Sequence, residues 1–142
     1  MNSQKFTLAT IVGGITLFIL GYLFYGVLLV NFYNQHSIAP AGSMRTMSEL
    51  IWWALIVGNF AGAALLAYIF QKIGNVHSFA SGARIGAAIG LFMGLTVDLI
   101  TYATGKSFDL TGMLGDVVVR IVMTAIAGGI IALVLRGGTK KA

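Results

Sequence analysis

Asp98, Asp116 and Arg120 lie inside long apolar runs, where an ionisable side chain is costly and usually has a functional or pairing reason. Asp116 and Arg120 are four residues apart, acid N-terminal to base, a spacing at which the two side chains meet on one helix face. Asp98 belongs to the preceding run. Counted inward from the link at 105–109, Asp98 is about six residues from Thr104 and Asp116 about six from Leu110. At about 1.5 Å per residue, both acids then sit roughly 9 Å deep. Arg120 falls one turn further in, where it can face Asp98 across the helix pair as well as Asp116 along its own helix. Two acids around one arginine form a set with coupled protonation, suited to holding a proton, a cation or a small polar solute. The same depth count brings in Asn59, Tyr25 and Tyr102, which complete the outline of a polar pocket.

A plainer account of the same residues is a lock. Intramembrane charges pair whether or not they transport anything, and an Asp-Arg-Asp set can hold two helices in register with the amide and the tyrosines satisfying leftover hydrogen bonds. Other chemistry finds little support. His36 and His77 fall in loops on opposite sides of the membrane, so no shared metal or haem is expected. Ser43, Ser48 and Ser107 have no histidine base at a suggestive position. The chain has no cysteine, which removes disulfides, thiolate nucleophiles and sulfur-ligated metals. GxxxG inside an apolar helix lacks the Lys-Ser/Thr ending of a phosphate loop. No catalytic residue, metal or cofactor is expected, and an enzyme is the third reading after binding and structure.

These side chains need elements to position them, and the composition says which. With 58% hydrophobic and 9% charged residues and a mean hydropathy of +0.91, the 142-residue chain is far from the roughly 25% charged residues of a soluble domain. Four apolar stretches, 6–33, 48–71, 78–104 and 110–135, each exceed the roughly 20 residues that span a bilayer core. The expected fold is therefore all-α, a single domain over 1–142 made of four transmembrane helices. The first stretch is too long for a signal-peptide core and has only Lys5 before it, so it reads as a span despite the Ala39-Pro40-Ala41 that resembles a cleavage site. Lys5, Lys72, Arg84, Arg136, Lys140 and Lys141 share one side, Arg45 and Lys106 the other, which puts both termini in the cytoplasm. The net charge of +5 thus reports orientation and a basic tail near anionic headgroups, not a nucleic-acid partner.

Small residues supply the packing surfaces. Gly82, Gly86, Gly90 and Gly94 recur every fourth residue and lead to Asp98, and Gly58-xxx-Gly62 gives a second face for close approach. The fourth span repeats the interval through Gly112, Asp116, Arg120, Thr124, Gly128 and Ala132. Four residues advance about 400° around a helix, so the third-span stripe drifts, and Gly82 and Asp98 are not expected on one face. The pairs Gly13-Gly14 and Gly128-Gly129 could permit mild bends.

The stretches GAAIGLFMGLTVDLITYATGKS and GDVVVRIVMTAIAGG resemble the third and fourth spans of small, uncharacterised bacterial four-span membrane protein families. The resemblance covers about the last 60 residues and makes Asp98, Leu99, Ala103, Thr104 and Asp116 signature positions. The first span, with LGYLFYGVLL, is more loosely similar to a related group. Val97 stands where those families usually have an aromatic, and VVVR follows Asp116 where a tryptophan is common, so Arg120 belongs to this chain or its near relatives. The resemblance implies a multi-pass protein of a bacterial inner membrane and carries no activity.

The functional expectation is a small membrane protein whose Asp98, Asp116, Arg120, Asn59, Tyr25 and Tyr102 pocket binds or transports a proton, cation or small polar solute. The alternative is a structural or accessory subunit whose charges only fix helix packing. Membrane lipids are expected partners, together with further copies of the chain or another membrane protein.

Overall fold

The computed structural model describes residues 1–137; Lys140 and Lys141 of the basic tail lie outside them. The chain is all-helical: α1 (Ser3–Leu23), a π-helical turn (Phe24–Leu28), α2 (Val30–His36), a 3-10 turn (Met47–Glu49), α3 (Trp52–Ile73), α4 (Phe79–Thr104) and α5 (Leu110–Arg136). Four segments, Ser3–Leu28, Trp52–Ile73, Phe79–Thr104 and Leu110–Arg136, are long and apolar enough to cross a membrane. A helix suits that setting because it satisfies its backbone polar groups within itself.

Local chemistry sets the boundaries. Asn2 caps α1 by accepting from Lys5 N at 3.0 Å, Ser78 and Ser81 form a reciprocal capping box for α4, and Asp109 caps α5 by accepting from Gly112 N at 2.8 Å. Gly74, at φ 81°, ends α3 in the left-handed region that a side chain would disfavour. The second span begins at Trp52, four residues later than expected, because Ser48 and Glu49 are taken up by the 3-10 turn. There Thr46 and Glu49 bond to each other in a capping box.

α4 and α5 form the tightest pair. The buried residues of α4 are Gly82, Gly86, Gly90, Gly94 and Asp98, all on one stripe against α5. A methyl group at Gly82 would meet the Gly128 carbonyl, at Gly86 the Thr124 carbonyl, and at Gly90 the Thr124 hydroxyl. The ladder therefore packs within the chain, and Gly82 and Asp98 do share a contact surface. The drift of a four-residue stripe is absorbed because the α5 stripe of Gly128, Thr124 and Arg120 has the same interval, so the two helices wrap with it.

α1 pairs with α3 and also packs on α5, and the apolar core lies among them, with Ala9, Ala63, Leu66, Phe70 and Ile131 almost fully buried. Gly13 lies against Ile131, Gly14 against the Phe60 ring and Gly129 against the Phe79 ring, all within regular helix. These glycines, which could have permitted mild bends, are packing positions. α3 and α4 share no extensive contact, and this separation opens a groove whose floor is α1 and α5.

Two further expectations are corrected. The first span is not one helix to Tyr33: a π-helical turn and the non-helical Leu29 (φ −115°, ψ 14°) interrupt it. Within the chain, Gly58-xxx-Gly62 is not a close helix–helix contact at both glycines. A methyl at Gly58 would meet nothing within 4 Å, and one at Gly62 only Leu17, because α3 turns this face to the groove.

Candidate functional site

The hairpin α4–α5 brings Asp98, Asp116 and Arg120 into one cluster. Arg120 reaches back one turn along α5, in the direction helical side chains lean. Its Nε donates to Asp116 Oδ2 at 3.0 Å and to Asp98 Oδ2 at 3.2 Å. Both acids are 8% exposed, whereas the arginine side chain is 39% exposed. Neither terminal guanidinium nitrogen donates to an acceptor among the described residues, although these nitrogens carry four of the five N–H groups.

The two carboxylates are held differently. Asp116 takes three donors: Tyr25 Oη at 2.7 Å and Tyr33 Oη at 2.9 Å on Oδ1, and Arg120 on Oδ2. Asp98 takes only its share of the Arg120 Nε–H, and its Oδ1 has no donor among the described residues. Asp116 is the fixed member of the set and Asp98 the member able to exchange partners.

Tyr33 is the site residue that sequence reasoning missed, having placed it at the boundary of the span. The π-helical turn widens the helix after Leu23, and the turn at Leu29 starts α2 on a new line, so the Tyr33 ring packs 5.2 Å from that of Tyr25. α2 can lie on the start of α5 because Gly112 sits under His36 and Gly115 under the Phe32 ring. A widened helical turn beside a polar cluster recurs at functional sites.

Asn59 and Tyr102 stand apart from the acids. Asn59 lines the groove and donates to Leu55 O at 2.7 Å, within its own helix. Tyr102 is 44% exposed and makes no hydrogen bond among the described residues, because α4 turns it away from α5; it borders a smaller cavity of about 180 Å³ with Asp98, Asp116 and Arg120. The larger groove, about 860 Å³, also has Asp116 and Arg120 in its wall.

The cluster is covered at the end of the chain opposite the termini. Ser37 and Phe108 form an antiparallel bridge, with Ile38 N donating to Ser107 O at 3.1 Å and Asp109 N to His36 O at 2.9 Å. His36 Nδ1 lies 2.9 Å from Asp109 Oδ2, an ion-pair partner for the histidine when it is protonated. The Gly112 N–H, and after it His36, holds the Asp109 carboxyl below the usual carboxylate range. No group of three or more His, Cys, Asp or Glu able to hold a metal occurs among the described residues.

Comparison with protein-family models, with curated proteins and with solved structures finds no match to this chain. The likeness of the third and fourth spans to the uncharacterised four-span families rests on the quoted residues alone.

Proposed function

We propose that the chain is a four-helix bundle of a bacterial inner membrane, both termini cytoplasmic, which binds a small polar or charged group at Asp98, Asp116 and Arg120. One observation carries this reading. An arginine recruited only as a lock presents its terminal fork to carboxylates, where paired N–H bonds are strongest. Here a single Nε serves both acids, the fork donates to no acceptor among the described residues, and Arg120 lines an 860 Å³ groove, a size typical of ligand sites. The excess of basic residues near the termini and the middle turn supports the orientation. The structural alternative draws support from Asp116, whose three donors also serve to fix α1, α2 and α5 together.

Infrared carboxyl-stretch spectroscopy in lipid distinguishes the two, with wild type measured against Asp98→Asn and Asp116→Asn over a pH series. The binding reading expects a carboxyl band that responds to pH and disappears in Asp98→Asn. Two acids ionised throughout, with each variant merely less stable, would overturn it in favour of the lock.

A further inference from the structure

We propose that the cavity of about 180 Å³ beside the α4–α5 link takes a small primary alkylammonium ion, its ammonium head on Asp98. The proposal rests on the reading of the Asp98, Asp116 and Arg120 cluster as a binding site and names the class of its ligand.

The cluster is short of one positive charge. Two carboxylates and one guanidinium leave it net negative, and no Lys, His or second Arg among the described residues borders the cavity. Arg120 shares its Nε between the acids and, with its side chain 39% exposed, keeps the rest of its guanidinium within reach of water. Asp98 is 8% exposed, and its Oδ1 has no donor among the described residues. The group that lacks a partner is therefore a buried acceptor, and a donor carrying positive charge both satisfies it and balances the cluster.

The cavity offers that donor more than one oxygen. Thr101, three residues after Asp98 and so its neighbour on the helix surface, borders the same space, as does Ser107 of the link. Neither hydroxyl makes a hydrogen bond among the described residues. With Asp98 Oδ1 they make three acceptors, and a primary ammonium carries three N–H donors. A proton on Asp98 would cancel the charge and leave both hydroxyls and the space unused.

The other walls select the rest of the ligand. Val97, Tyr102, Phe108 and Met113 present apolar and aromatic surface, which suits an alkyl chain and not the roughly six oxygens that a divalent metal ion gathers. A cavity of about 150 Å³ holds one benzene, so this one has room for an ion of about four or five carbons.

The test uses the full chain in phosphatidylcholine nanodiscs, titrated with n-butylammonium chloride at constant ionic strength by isothermal calorimetry. One site per chain is expected. Tetramethylammonium, which has no N–H, and 1-butanol, which has no charge, should each bind at least about tenfold more weakly, as loss of a charged hydrogen bond dictates. Asp98→Asn should weaken n-butylammonium binding by at least about tenfold. Thr101→Val, which removes one acceptor and keeps the Asp-Arg bonds, should weaken it about threefold at an unchanged melting temperature. Equal affinity for either control compound, or affinity unaffected by Asp98→Asn or by Thr101→Val, would each overturn the proposal. Absence of n-butylammonium binding alongside a pH-responsive carboxyl would overturn the ammonium and leave the Asp-Arg cluster as a proton site. A wild type with neither would remove both readings.

Discussion

Tyr25 and Tyr33 place their hydroxyls on the same oxygen of Asp116, at 2.7 and 2.9 Å, although eight residues separate them. In a regular helix they would stand about 12 Å apart along the axis and about 80° apart around it. The π-helical turn and the break at Leu29 remove that offset. Tyr33 is buried and Tyr25 is 39% exposed, so the two bonds differ in worth. Tyr33→Phe should cost about 1–2 kcal/mol in denaturation from detergent, and Tyr25→Phe less. Because both serve one acceptor, the double variant should depart from additivity. Equal and additive losses would show that the hydroxyls do not share Asp116.

Glycines at equal spacing should respond in opposite ways. Gly86→Ala puts a methyl against the Thr124 carbonyl, a backbone atom that cannot swing aside, and should cost about 1–3 kcal/mol as overpacking does. Gly58→Ala adds a methyl where nothing lies within 4 Å and removes the flexibility of a helical glycine, so it should be neutral or stabilising by up to about 1 kcal/mol. Thermal unfolding of the two variants in one detergent checks the contrast. A destabilised Gly58→Ala would mean that α3 uses this face for a helix after all.

The cluster predicts an order among its own variants. Arg120→Gln leaves two carboxylates buried without their cation and should be the most damaging, near the lower end of the 3–5 kcal/mol typical of a broken buried pair, about 3 kcal/mol, since the arginine side chain is 39% exposed. Asp98→Asn leaves Arg120 its bond to Asp116 and should cost less than half as much. Asp98→Asn combined with Arg120→Gln should recover part of the loss, a coupling that a double-variant cycle reads directly. Strict additivity would show that the 3.2 Å contact carries no energy.

What the sequence disclosed follows from what periodicity and depth can encode. The short link at 105–109 forces α4 and α5 into a hairpin, and counting inward from it suffices to put Asp98, Asp116 and Arg120 at one level. Tyr33 escaped because a single widened turn changes neither length nor hydropathy, yet it resets the direction of every side chain beyond it. Gly58-xxx-Gly62 misled for a different reason: a smooth helix face looks the same in sequence whether a helix or an open groove lies against it. The signal that could have marked Tyr33 is Gly112 with Gly115, small residues at the start of α5 that only a neighbouring segment lying close would require.

Asp109 gives the fold a dependence on acid. Its carboxylate accepts from Gly112 N and faces His36, and both hold it below the usual range. A carboxyl kept low in the folded chain stabilises it above the unfolded value, about 3.9 for aspartate, and loses that contribution as pH falls through the folded value. Stability should therefore fall on acidification below about pH 4. In Asp109→Asn that acid limb should be shallower, while stability at neutral pH changes little, because asparagine caps a helix as well and a half-exposed ion pair is screened. The difference between the two curves isolates Asp109 from the other three acids, which both chains keep. Parallel curves from pH 7 down to 3 would show that the bridge between α2 and the start of α5 holds without the charge, and that the β-bridge hydrogen bonds at Ser37 and Phe108 alone keep the loop over the cluster.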